Sequence, residues 1–289
     1  MRIDFEDIIR LAGKKNRKRL VISGQMDPAA LSAVLKAREK GWVEPIAYGD
    51  AFIDMDSEMK VLFSSVNIEE ARQEALSLVQ GGKADILLDT GPLEAGFFSL
   101  LTDKIGGING GQVLSYVNIL TAPKDGRLIM LTDTLINGTP CLKDKVCIVE
   151  NVIDVAKTIG IDQPNIAALA PLELVNPALE STLDAAILSK MSERGQFGRA
   201  VIEGPLAMDN AESAKAARHK GINSSVPGDV DIYFFPDLES ANLTAQFLAW
   251  VGRRQLCGVL AGTAVPVVIR SPLESPDSWF VNLAMCLLF

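Results

Sequence analysis

Histidine is almost missing from this 289-residue sequence: His219 stands alone. The four cysteines, Cys141, Cys147, Cys257 and Cys286, form no Cys-x-x-Cys pair. One imidazole and scattered thiols do not make the usual zinc ligand set, so no metal site is expected. A chain this long builds its core without disulfides, and the thiols read as buried groups in a reducing compartment. No apolar run is long enough to span a bilayer; the longest, 257–269, is broken by Pro266. The basic run from Lys14 to Arg19 follows Asp4, Glu6 and Asp7 and leads into no apolar stretch, unlike a secretory leader. The expectation is a cytoplasmic protein with no membrane partner. There is no basic excess either. Acidic residues outnumber basic ones 36 to 28, giving a net charge of −8, which argues against nucleic-acid binding.

Several catalytic signatures are also lacking. There is no G-x-x-x-x-G-K-[ST] phosphate loop and no G-x-S-x-G elbow. The glycine pairs Gly106-Gly107 and Gly110-Gly111 do not make a G-x-G-x-x-G turn between a strand and a helix.

What is present is alternation. Apolar runs such as Leu20-Val21-Ile22 and Ile86-Leu87-Leu88 read as strands buried on both faces, separated by segments of helical period. Phe5, Ile8, Ile9 and Ala12 mark an opening amphipathic helix, and Asp27-Pro28 pairs an N-cap with proline at N1. Asn67 with Glu70 signals a helix running to Gly81, and Asp209 reads as the cap of one continuing to about His219. Further strands are expected at Asn165–Ala170, Arg199–Glu203, Asp231–Phe235, Cys257–Leu260 and Val265–Arg270. The pattern predicts an α/β protein with parallel-rich sheets covered by helices. Ligands in such folds sit beyond the carboxyl ends of the strands. The candidate positions are therefore Gly24-Gln25, Thr90-Gly91, 132–134, 171–173, Gly204-Pro205 and Ser271-Pro272.

Longer strings carry a resemblance. Leu172–Pro177, Ser181–Ala186 and Ser189-Lys190-Met191 come first, then Arg194-Gly195-Gln196 and Gly204–Ala211. His219–Ile222, Pro227–Ile232 and Pro236–Asn242 follow. Upstream stand Gly106–Val117, ending Leu114-Ser115-Tyr116-Val117, and Thr132–Asn137. Together, over residues 84–289, these resemble the phosphate acetyl/butyryl transferase family, particularly its butyryl-type branch.

The resemblance implies two α/β domains of the isocitrate/isopropylmalate dehydrogenase-like fold with an interdomain cleft. Residues 1–132 plus 263–289 would form the first, and 133–262 the second, which lines the cleft and dimerises. It implies acyl transfer between coenzyme A and phosphate in a ternary complex, with coenzyme A as a substrate, no tightly bound cofactor and a homodimer as the assembly. The family serine falls at Ser271 and its general base at Asp277, with Ser278 next to it as the alternative alignment. Asn109, Gln112, Ser115, Tyr116, Thr132, Asp133, Asn137, Asp209 and Asn210 are the candidate substrate-binding residues. Each also has a structural reading, Asp209 as an N-cap and Asp277 as a first-turn helix residue.

The sequence departs from the family at the anion site. Asn109, Gln112 and Pro272 stand where the family has arginines, and Tyr116 where it has histidine. A repurposed homologue holding another small ligand is the alternative. A metal-dependent decarboxylating dehydrogenase on the same fold lacks its acidic cluster here.

Overall fold

The computed structural model describes residues 3–24, 27–48, 61–62, 68–102, 108, 112–122 and 125–289. In chain order the elements begin α1 (Phe5–Ala12), β1 (Lys18–Ser23), α2 (Pro28–Glu39), β2 (Val43–Tyr48), β3 (Val61–Leu62), α3 (Ile68–Gln80), β4 (Ile86–Asp89) and α4 (Ala95–Thr102). The middle comprises β5 (Ser115–Thr121), β6 (Leu128–Thr132), α5 (Leu142–Thr158), β7 (Asn165–Leu169), α6 (Glu180–Glu193) and β8 (Val201–Leu206). The remainder is α7 (Met208–Glu212), α8 (Ala214–His219), β9 (Ile232–Phe234), α9 (Leu238–Trp250), β10 (Leu256–Ala261), β11 (Val267–Val268) and α10 (Ser278–Cys286).

These elements form two compact units. One is Asp4–Leu114 with Gln255–Phe289; the other is Ser115–Arg254 with the short N-terminal segment ending at Ile3. The divisions fall at 114 and 254, where the sequence suggested 132 and 262. Strand pairing accounts for the first shift: β5 runs antiparallel to β6, and β6 is parallel to β9 with Met130 beside Ile232. Residues 115–132 are thereby tied to the later strands. The second shift follows from α10, whose Asn282 Oδ1 accepts from Gly258 N–H of β10 at 2.9 Å.

In the first unit the sheet order is β11-β4-β1-β2-β3, all pairs parallel. Leu20, Val21 and Ile22 of β1 and Ile86, Leu87 and Leu88 of β4 are buried without alternation, as strands covered on both faces require. Asp27 caps α2 by accepting from Ala30 N–H at 2.7 Å, with Pro28 at N1 as expected. Asn67 lies outside the described residues; α3 follows it.

In the second unit β5-β6-β9-β7-β8 are neighbours in that order, and only β5 is antiparallel. Two expectations change here. Gly204-Pro205, expected in a loop, lies inside β8, which extends to Leu206. Proline is tolerated because β8 is an edge strand and need not donate at that position. Gly204 is required there: an added Cβ would lie 2.7 Å from Ala168 Cβ on β7. The helix expected from Asp209 to His219 is two short ones. Ser213 adopts an extended conformation and caps α8, accepting from Ala216 N–H at 3.2 Å, while Ala207 is the N-cap of α7. Asp209 is therefore a first-turn residue.

Candidate active site

The carboxyl end of β6 carries the first cluster. Thr132 ends the strand, and the Asp133 side chain that follows reaches the backbone at the start of β5. Asp133 Oδ1 accepts N–H groups from Tyr116 at 2.9 Å, Leu135 at 3.1 Å and Ile136 at 3.3 Å. Its Oδ2 accepts the backbone N–H of Asn137 at 2.8 Å and that residue's amide at 2.5 Å. Burial pushes the Asp133 carboxyl above the ordinary carboxylate range, opposed by those hydrogen bonds from Tyr116, Leu135 and Asn137. Asp133, Asn137 and the Tyr116 backbone are thus brought together, and the carboxylate shapes its own loop.

Around that loop, Thr134 Oγ1 donates to Asn118 Oδ1 at 2.8 Å, and Asn242 of α9 donates to the Thr134 carbonyl at 2.9 Å. Ser115 at the start of β5 accepts from Asn151 of α5 at 3.0 Å, and Tyr116 is fully buried. Thr132 Oγ1 is buried without a hydrogen-bond partner among the described residues.

A second cluster gathers beyond β7 and β8. Lys220 Nζ lies 3.2 Å from Glu173 Oε2 and 3.2 Å from Asp209 Oδ2. Glu173 also meets the Asn210 amide at 3.4 Å, and its pKa is lowered, first by its own backbone N–H and then by Lys220. Asn210 is fully buried, and its Oδ1 has no partner among the described residues. Asp209 faces solvent apart from Lys220.

The predicted catalytic pair lies in the other unit, just after β11. Ser271 is buried; its Oγ accepts from Leu273 N–H at 3.3 Å, and its carbonyl accepts from Glu274 N–H at 3.0 Å. Asp277 is exposed at the N-cap of α10 and makes no side-chain capping bond. The buried carboxylate of this segment is Glu274, which the sequence reading missed. It accepts from Ser278 Oγ at 3.2 Å and from Asn282 Nδ2 at 2.7 Å, while its carbonyl accepts from Arg270 at 2.7 Å. Ser278, the alternative to Asp277, is committed to this network. Gln112 is exposed, and Asn109 lies outside the described residues.

A further polar centre escaped the sequence reading. At the carboxyl ends of β1 and β4, Asp89 is gripped by Arg72 of α3 through Nε at 2.9 Å and Nη2 at 2.7 Å. Ser23 Oγ donates to the same carboxylate at 2.6 Å, and Gly91 N–H at 3.0 Å. Arg72 also stacks on Phe97, 4.4 Å from the ring centroid. The only available signal was an Asp at the end of an apolar strand, which gave no partner.

Residues 57–286 match the family described as Phosphate acetyl/butaryl transferase. The chain belongs to that family. It is 35% identical to the phosphate butyryltransferase of Clostridium acetobutylicum, over 98% of this chain and 97% of that one. It is 30% identical to the phosphate acetyltransferase of Thermotoga maritima, over 99% of each. Among solved structures, a branched-chain phosphotransacylase from Enterococcus faecalis V583 superposes with a TM-score of 0.81 at 29% identity, covering 94% of this chain and 98% of that one. As an enzyme of the phosphate acetyl/butyryl transferase family, the chain has the parallel-rich α/β architecture its sequence pattern predicts. No described helix is long and apolar enough to cross a membrane.

Proposed function

We propose that this enzyme transfers a short acyl group, acetyl or butyryl, between coenzyme A and phosphate by direct transfer in a ternary complex. The observation that carries the reading is the family match over residues 57–286, backed by full-length similarity to both a butyryl- and an acetyltransferase. In the direction that consumes acyl phosphate, the coenzyme A thiol loses its proton to Asp277 and attacks the acyl carbonyl. The new carbon–sulfur bond forms, the carbon–oxygen bond to phosphate breaks, and phosphate leaves. A thiol with an ordinary pKa near 8.5 needs such a base at neutral pH. Exposure of Asp277 leaves its carboxylate accessible to a thiol. Ser271, whose hydroxyl donates to no described side chain, supplies a donor to the developing oxyanion or to the leaving phosphate.

Substrate contacts are assigned to Ser115, Tyr116, Thr132, Asp133, Asn137, Asp209 and Asn210. The unpartnered Thr132 Oγ1 and Asn210 Oδ1 are the polar atoms best fitted to accept a ligand's hydrogen bond. The substitution pattern favours a second reading. With Asn109, Gln112 and Pro272 in place of arginines, the anion site has less positive charge, and a repurposed homologue would bind a less anionic ligand. Release of coenzyme A from acetyl-CoA and butyryl-CoA, measured with and without phosphate, separates the two. Phosphate-dependent release that falls with Ser271→Ala supports acyl transfer to phosphate. Release absent at every phosphate concentration supports the repurposed homologue.

A further inference from the structure

Four buried polar side chains meet where the last strand gives way to the last helix: Ser271, Glu274, Ser278 and Asn282. Ser278 and Asn282 stand one turn apart on α10 and so share a face. Both donate to Glu274 Oε2, Ser278 from its Oγ at 3.2 Å and Asn282 from its Nδ2 at 2.7 Å. The Asn282 amide is fully used. Its Nδ2 also donates to the Ile269 carbonyl at 3.0 Å, and its Oδ1 accepts from Gly258 N–H of β10 at 2.9 Å. Donors of this kind are what a carboxylate needs in order to stay buried.

The network touches the chain on both sides of Ser271. Ile269 stands two positions before the serine and Glu274 three after, so a single amide group holds the backbone at either flank. Two further bonds close the segment on itself. Arg270 Nη1 donates to the Glu274 carbonyl at 2.7 Å, and Glu274 N–H donates to the Ser271 carbonyl at 3.0 Å. Leu273 N–H donates to Ser271 Oγ at 3.3 Å, which occupies one lone pair and leaves the hydroxyl hydrogen to be given elsewhere. The serine is thus oriented within its own turn, and Glu274 and Asn282 fix that turn to α10 and β10.

We propose that Glu274 is a positioning residue for acyl transfer, acting through Asn282 and the 269–274 turn to hold the Ser271 hydroxyl where charge develops. The proposal rests on the role given above to Ser271. Misplacing a reacting group by about 1 Å costs on the order of a hundredfold in rate. Losing one oxyanion donor altogether costs roughly 100- to 1,000-fold in kcat. A carboxylate that never touches substrate therefore governs turnover through its grip on the backbone around the serine. Its acceptor oxygen performs this task, and a glutamine amide oxygen supplies the same acceptor.

A double-mutant cycle between positions 274 and 271 tests it. The readout is coenzyme A release from acetyl-CoA and butyryl-CoA at saturating phosphate, with far-UV circular dichroism to verify folding. Glu274→Met, unbranched like glutamate but without an acceptor, should lower kcat at least about tenfold and leave KM for the thioester within about twofold. Glu274→Gln should recover kcat to within about threefold of the wild type. In a Ser271→Ala background, Glu274→Met should cost no more than about twofold further. Should Glu274→Met not fold, Ser278→Ala removes one bond of the network and takes its place in the cycle, with a loss of about threefold that vanishes in the Ser271→Ala background. Wild-type kcat in the folded variant, or an equal loss with and without Ser271, overturns the positioning role and leaves acyl transfer standing. Damage by Glu274→Gln as deep as by Glu274→Met overturns the acceptor mechanism. A wild type whose coenzyme A release does not depend on phosphate overturns the acyl-transfer reading, and this role with it.

Discussion

Arg72 and Asp89 form a two-point ion pair, Nε and Nη2 each meeting a separate carboxylate oxygen, with both side chains buried. Such a pair contributes little net stability, but removing one partner strands a charge. Arg72→Ala should therefore cost about 3–5 kcal/mol in urea unfolding. Replacing both residues with leucine should cost markedly less than the sum of the two single changes. Additive losses would show that the two residues are not coupled.

Asp133 accepts four backbone N–H groups and the Asn137 amide. Asp133→Ala leaves these donors without an acceptor, at about 1–3 kcal/mol for each one that water cannot reach. The expected result is a loss of at least about 3 kcal/mol in chemical denaturation. A change below about 1 kcal/mol would mean that the loop closes without its carboxylate.

Asp85 gives a pH dependence of known sign. Its hydrogen bond from the Arg19 side chain lowers its carboxyl pKa to about 2. Because the folded value lies below the unfolded one, near 3.9, the stabilisation is present above pH 4 and is lost as pH falls towards 2. Asp85→Asn should lower stability at pH 7 by about 1 kcal/mol, allowing for solvent screening of this part-exposed pair. By pH 2, where Asp85 is about half protonated in the folded protein, most of that difference should be gone. A gap of undiminished size at pH 2 would rule out the ion pair as its source.

The proposed replacement of anion-site arginines by Asn109, Gln112 and Pro272 predicts shallow phosphate dependence. A charge-assisted hydrogen bond is worth roughly 1.5–3 kcal/mol, so loss of even one implies at least tenfold weaker phosphate use than in an arginine-bearing relative. Asn109→Arg with Gln112→Arg should lower the KM for phosphate. Initial rates across a phosphate titration provide the measurement, and an unchanged KM would show that these positions do not face phosphate.

Repeating patterns were legible in the sequence, whereas single long-range partners were not. Doubly buried strands announce themselves through Leu20-Val21-Ile22, and the cap at Asp27-Pro28 is local chemistry that reads directly. Asp237 likewise caps α9, accepting from Ser240 N–H at 2.8 Å. Errors arose where tertiary contact overrides local signal. Gly204-Pro205 is turn chemistry by composition, yet it lies in an edge strand because only glycine clears Ala168. The string from Thr132 to Asn137 was found, but its internal hydrogen bonding was not, because an aspartate caging its own loop and one facing a ligand have the same spelling. Glu274 and Arg72 were missed for a related reason: partners 4 to 17 residues away carry no periodic mark.

The discontinuous unit also has a consequence for synthesis. Strand β4 lies between β1 and β11, and the segment carrying β11 and α10 is translated after residues 115–254. At bacterial or eukaryotic elongation rates the ribosome needs on the order of 10 s for that stretch. During this interval the edge of Ile86-Leu87-Leu88 has no strand to accept it, the situation in which nascent chains recruit holding chaperones or pair with one another. The inserted unit can form on the emerging chain, while the unit that encloses it must wait for its last strand.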